Sequence, residues 1–256
     1  MVTARVHRGG SRRQPVPCVP RLRDAGARAC RVGRAMTANP ITPAPDDELL
    51  VLFRAIAAGD VEQVAHRLDA SPRQASEAMR TGATRAESSP FFLEAIGHHI
   101  YAGDTALHVA AAAHRADVAR DLIARGASVH ARNRRGADPL HYACDGAPGS
   151  VRWNPAAQMA TIDCLLLAGA DPNARDRSGV APLHRAVRTR CAAAARLLLE
   201  RGADAHLTNG RGSTPMNLAV RTTGRGGSGS PAARQQQAEL VRLLGAHGAQ
   251  ANDRRA

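Results

Sequence analysis

Lysine is missing from this chain: all 35 basic side chains are arginine, set against 22 acids. Aromatics are scarce too, with three Phe, two Tyr and one Trp, or 2 % of the residues. That is too few to pack a sandwich or barrel on large rings, and alanine supplies much of the apolar count instead. No apolar run approaches 18 residues, so no segment is expected to span a membrane. The five cysteines are odd in number and form no C-x-x-C pair. Such usage fits reduced thiols and a cytoplasmic location.

What is present is enough chain, 256 residues, to bury a core without a metal or a disulfide. The net charge of +13 is unevenly placed. Residues 1–35 hold nine Arg and one acid, Asp24, whereas 36–256 are nearly balanced at +5. The first segment has no apolar run, no periodicity and no secretory hydrophobic core, and residues 1–45 are expected to be disordered. Three readings of the segment stand side by side: an inert tail or one left untranslated by a start at Met36, an electrostatic arm, and a transit peptide.

The chain aligns with itself. Thr105-Ala-Leu-His108, Asp138-Pro-Leu-His141, Ala181-Pro-Leu-His184 and Thr214-Pro-Met-Asn217 recur at spacings of 33, 43 and 33 residues. Each is followed by a second helical pattern closing on Gly-Ala, at Gly126, Gly169, Gly202 and Gly248. Pro139, Pro182 and Pro215 stand in the first helical turn, where a missing N–H is harmless, and Thr105, Asp138 and Thr214 can cap. Ala181 cannot. The first helices present Leu107, Leu140, Leu183 or Met216, then small residues three and four positions on, which lets neighbouring helices approach closely. The second helices carry the bulk, for example Val118 and Leu122, Ile162 and Leu165, Leu197–Leu199, and Leu240 and Leu244. Glycine then suits the left-handed position that ends a helix.

These openings and their period resemble the ankyrin repeat family, whose unit is a β-turn followed by two antiparallel helices. The resemblance implies an all-α, ankyrin-type helix-turn-helix solenoid with short β-hairpin fingers and about five repeats. A domain over 46–252 would comprise a divergent cap at 47–72 and units at 103–135, 136–178, 179–211 and 212–252. Three stretches depart from the regular unit: a connector at 73–102, an insertion at 145–155 and a long separation at 222–237, which contains the Gly-rich run 224–231.

Each chemical motif has a plainer reading. His108, His141 and His184 occupy one place in three successive repeats, so they lie a repeat apart rather than around one ion. The resemblance implies that each bonds the backbone of the hairpin region. His98 and His99 are adjacent and make a poor ligand pair. Cys144, with His141 three residues earlier, is the best catalytic constellation available, yet its register matches Ala111, Val187 and Val220, a small packing slot. The Gly-rich run 224–231 lacks the Gly-Lys-Ser/Thr ending of a phosphate loop. No catalytic residue, metal or cofactor is assigned, and the chain is read as no enzyme.

Arginine carries the remaining signal. Arg134, Arg135, Arg177 and Arg211 fall in successive hairpin turns, while Tyr142, Arg185 and Arg188 fall on what should be the exposed inner side of the first helices. Trp153, in the insertion, either packs on the adjacent helix pair or anchors a partner. Phe91, Phe92 and Tyr101 are expected to cover the flank of the repeat that begins at Gly103. Together the residues predict a monomeric, non-catalytic protein-binding scaffold whose concave surface of fingers and inner helices takes a partner with an acidic segment. The alternative is a nucleic-acid-binding protein using the basic N-terminal segment and the Arg-lined groove. Near-neutral charge over 36–256 and the lack of stacking aromatics weigh against it.

Overall fold

Helices follow each other in pairs along the chain: α1 (Pro45–Ala58) and α2 (Val61–Ala70), α3 (Ala106–Ala112) and α4 (Ala116–Ala124), α5 (Pro139–Ala143) and α6 (Pro155–Leu167), α7 (Pro182–Arg188) and α8 (Ala192–Glu200), α9 (Pro215–Ala219) and α10 (Pro231–Ala246). This computed structural model describes residues 45–221 and 231–251, which fall in one compact unit, Thr42–Ala256. The Arg-rich segment, up to residue 44, and the Gly-rich run at 224–230 lie outside the described residues.

Sequence fixes where the helices begin and end. Asp60, Asp138 and Thr214 cap α2, α5 and α9 by accepting the N–H of Gln63, His141 and Asn217 at 3.0, 3.1 and 3.2 Å. Thr105 differs, its hydroxyl lying 3.0 Å from Nδ1 of His108. At the far end of each second helix, Gly126, Gly169, Gly202 and Gly248 take φ between 75° and 93°. The following alanine then donates back to the helix, as Ala127 to the Leu122 carbonyl at 2.9 Å and Ala203 to that of Leu198 at 2.8 Å. Helix α10 starts at Pro231, within the stretch 222–237 expected to separate two helices. Proline in its first turn, followed by Ala, Arg and Gln of good helix propensity, accounts for the earlier start.

The pairs stack into two rows. First helices α1, α3, α5, α7 and α9 pack successively on one another, and second helices α4, α6, α8 and α10 do the same behind them. Small residues let the first row close up, with Ala110, Ala111, Ala143, Cys144, Ala186 and Val187 all buried. Leu122, Ile162, Leu165, Leu198, Leu240 and Leu244 fill the second row and are 0 % exposed. Phe53, Leu52 and Ile56 of α1 continue the same core at its N-terminal end.

The fingers are short hairpin turns, each closed across its tip by a backbone bond, from Asn133 to Ala137, Asp176 to Val180 and Asn209 to Ser213, all at 3.0 Å. The strands among the described residues are β1 (Phe92–Leu93) and β2 (His98–His99), an antiparallel pair inside the connector. One Asn or Asp also braces each of these tight turns. Oδ1 of Asn133 accepts the N–H of Arg135 and Ala137 at 2.8 and 3.2 Å, and Asp176 and Asn209 repeat the pattern with Ser178 and Val180, and with Arg211 and Ser213. The side chain thus takes the amides that a strand ladder would use. One backbone bond joins each finger to the one before: Arg134 N–H to the Ala102 carbonyl (2.7 Å), Arg177 to Arg135 (2.9 Å) and Gly210 to Ser178 (2.7 Å).

The connector completes this row. Met79 and Gly103 exchange backbone bonds with Asp104 and Met79 at 2.8 and 2.7 Å, and the Ala83 N–H donates to Ile100 at 2.8 Å. Leu93 and Ile100 are buried, Phe91 packs partly on the core, and Phe92 remains 37 % exposed.

Candidate functional site

The histidines hold the repeats together. Nδ1 of His108 and His184 accepts the N–H of Thr105 and Ala181 at 3.1 and 3.2 Å, whereas Nδ1 of His141 lies 2.7 Å from the Asp138 carboxylate as well as 3.3 Å from its backbone nitrogen. The opposite nitrogen, Nε2, reaches the carbonyls of Ala137, Val180 and Ser213 in the next unit at 3.2, 2.9 and 3.2 Å. A carbonyl can only accept, so Nε2 carries the proton in this arrangement. Burial lowers the pKa of His108 and His184 against the opposing pull of these carbonyls. Cys144 is fully buried in its packing slot, where burial first and then nearby carboxylates raise its thiol well above the ordinary value. Burial likewise pushes Cys191 up to about 11.

The four finger arginines are exposed in three successive turns. Two share a platform: the guanidinium carbons of Arg134 and Arg135 sit 5.3 and 4.5 Å from the Tyr101 ring centroid. Arg134 also donates to the Ala83 carbonyl. Arg177 follows on the next finger, joined to Arg135 through the backbone, and Arg211 on the one after. The lower parts of the fingers use arginine structurally. Arg132 donates to the carbonyls of Gly136 and Arg175 at 3.0 and 2.7 Å, and Arg175 to that of Thr208.

The inner helices do not present the surface expected of them. Tyr142 is 3 % and Arg185 9 % exposed. The Tyr142 hydroxyl accepts from Asn133 Nδ2 at 2.8 Å and donates to Asp104 at 3.4 Å. Its ring meets His98 and His108 edge to face at 4.5 and 5.4 Å. Arg185 lies over the other part of this cluster, 5.6 Å from the Tyr142 centroid, with Nη1 2.7 Å from Asp145 and Nη2 3.8 Å from Asp176. Arg188 is about half exposed and 3.6 Å from Asp145. A buried guanidinium requires such partners, and they come from the insertion and the neighbouring finger. The insertion also settles where Trp153 sits: it packs partly on the core, and Nε1 donates to Gln158 Oε1 at 3.0 Å.

Sequence reasoning gave Tyr101 only a covering role on the flank and assigned no role to Asp104, Asn133 or Asp145. For Asn133 a signal existed, since Asn133, Asp176 and Asn209 share one register in three fingers. The others lie outside the regular unit or before its opening, where periodicity says nothing.

Residues 165–219 match the family described as ankyrin repeats (many copies), and residues 102–134 and 135–177 each match the ankyrin repeat. No curated protein matches the chain. No helix among the described residues is long and apolar enough to cross a membrane. Ankyrin repeats generally mediate protein–protein interactions and are typically non-catalytic. With its paired helices in two rows, its histidines bridging successive units and its family matches running from 102 to 219, this chain is an ankyrin repeat protein.

Proposed function

We propose that the chain is a non-catalytic scaffold that holds an acidic segment of a protein partner along its fingertips. The observation that carries this reading is the stacking of Arg134 and Arg135 on Tyr101, with Arg177 on the finger joined to theirs. Stacking restrains two flexible side chains while leaving their charge at the surface, so less conformational freedom is lost when a carboxylate docks. Arg211 extends the row by one unit. Tyr142 and Arg185 support it from within, by ordering the finger and the first helices beneath, and Arg188 borders it.

The test is binding of an Asp/Glu-rich peptide and, separately, of a short DNA duplex to the full chain. Arg134→Glu with Arg135→Glu should weaken the peptide by about tenfold or more, as reversal of paired charges at an interface does. Arg120→Glu on exposed α4 should leave it nearly unchanged. Equal losses from both, or tighter binding of DNA with a steep salt dependence, would favour the nucleic-acid reading instead.

A further inference from the structure

The finger between α8 and α9 carries a dipeptide that the other fingers lack. Asn209 is followed by Gly210, whereas Asn133 and Asp176, in the same register, are each followed by arginine. No other asparagine of the chain precedes a glycine. The fold calls for both members of the pair. Oδ1 of Asn209 braces the turn by accepting the N–H of Arg211 and Ser213 at 2.9 and 3.1 Å. Gly210 lies so close to the preceding finger that a Cβ built on it would sit 2.7 Å from the Ser178 carbonyl oxygen, so no side chain fits there without a shift.

An asparagine before glycine is open to a reaction that needs no enzyme. The glycine backbone nitrogen, on losing its proton to hydroxide, attacks the side-chain carbonyl carbon of the asparagine. A C–N bond closes a succinimide ring, the bond from that carbon to Nδ2 breaks, and Nδ2 leaves as ammonia with a proton taken from water. Water then opens the ring at either carbonyl, giving aspartate or isoaspartate. Glycine favours closure because no side chain crowds the attacking nitrogen.

The finger both promotes and restrains this chemistry. Two N–H donors on Oδ1 polarise the Asn209 carbonyl toward attack, and Nδ2, the leaving group, donates to no group among the described residues. The attacking nitrogen, however, is engaged: the Gly210 N–H donates to the Ser178 carbonyl at 2.7 Å, and Arg175 holds the Thr208 carbonyl on the other side of Asn209. It is released only when this finger parts from the one before. Aspartate would then suit the turn, since Asp176 does the same work one finger earlier by accepting from Ser178 and Val180 at 2.8 and 2.9 Å. Isoaspartate would not. It adds a carbon to the main chain between the residue 209 N–H, bonded to Ser213 at 3.0 Å, and the Gly210 N–H bonded to Ser178.

We propose that Asn209 is a modification site, converted spontaneously to aspartate and isoaspartate at a rate set by the parting of its finger from Ser178. Either product adds a carboxylate to the finger that carries Arg211. The chemistry stands apart from the fingertip reading; only its consequence, weaker capture of an acidic segment by aged protein, rests on that reading.

The full chain is incubated at mildly alkaline pH without urea, in urea below the unfolding midpoint and in urea above it. Its peptides are then mapped by mass spectrometry, with aspartate and isoaspartate separated by chromatography. Asn209 should convert in all three, at least about tenfold faster in the unfolded chain than in the folded one, with the intermediate urea between them, because local opening precedes global unfolding. Asn133 and Asn173 in the same digests of folded protein should remain amides. Asn209 left intact in the folded chain after the unfolded chain has converted, equal rates with and without urea, or Asn133 converting as fast as Asn209 overturns the proposal.

Discussion

Arg185 of α7 reaches back one unit to Asp145, Nη1 to Oδ2 at 2.7 Å, and thereby fastens the inserted loop to the regular stack. The insertion is thus part of the folded frame rather than an appendage, and the arginine that makes the contact is withdrawn from the surface.

Asp145→Ala should therefore destabilise the protein although the residue lies in a loop. Arg185 would keep Asp176 at 3.8 Å but lose its close hydrogen bond. We expect a loss of about 1.5–3 kcal/mol, the range for hydrogen bonds to charged groups, measured by urea denaturation. Asp145→Asn should lose less, and a midpoint unchanged in both would mean that the contact is not made in solution.

The second-row leucines set the stability of the stack. Leu122→Ala and Leu198→Ala each remove a fully buried side chain and should cost about 2–5 kcal/mol. Because each unit leans on its neighbours, the loss should also appear as lowered amide protection in the adjoining repeats. Hydrogen exchange confined to the mutated unit would contradict this.

Ala181 begins α7 with no side-chain acceptor, at the register where Asp138 and Thr214 cap their helices. Ala181→Thr should raise stability by about 0.5–2 kcal/mol, read as an upward shift in melting temperature. A fall would show that the buried site, 1 % exposed, cannot admit the larger residue.

Acid should weaken the fold in a defined window. His98 titrates at about 4 when folded, against an ordinary 6.5, with burial as the chief cause. The unfolded chain thus binds the proton first, and the stability this group contributes is fully present above 6.5 and is lost as pH falls toward 4. His108, His114 and His184 are lowered in the same direction. Each adds at most about 1.4 kcal/mol per pH unit to the slope. Melts across this range should show falling stability, and His98→Phe should flatten the curve.

How much of this was legible in the sequence depended on distance along the chain. Helix starts at Pro139 and Pro182, stops at Gly126 and Gly202, and the burial of Leu122 and Leu198 follow from patterns a few residues long repeated several times. The inward fate of Tyr142 and Arg185 does not. It depends on Asp104, just ahead of the repeated opening, and on His98 and Asp145, which lie outside the regular unit, up to 44 residues away, so position on the inner helix face suggested exposure. The fingers were legible as short polar turns of matched length, and the side-chain bonds of Asn133, Asp176 and Asn209 add to their backbone closures. Exposure of Arg134, Arg135, Arg177 and Arg211 agrees with expectation, whereas the role of Tyr101 beneath two of them left no mark in the repeat.

The single backbone bond between successive fingertips has a mechanical consequence. Behind the tips, the two rows of helices are held by continuous apolar contact, which resists separation over its whole area. At the fingers one backbone N–H···O link per unit, joined by the bonds of Arg132 to Arg175 and of Arg175 to Thr208, opposes splaying. The stack should therefore be stiff at its root and compliant at its inner lip, so that a change in curvature stretches these links long before it opens the core. Distance between the guanidiniums of Arg135 and Arg177 is then an elastic quantity, and a partner whose acidic groups are spaced slightly wider or closer is met by a change of arc.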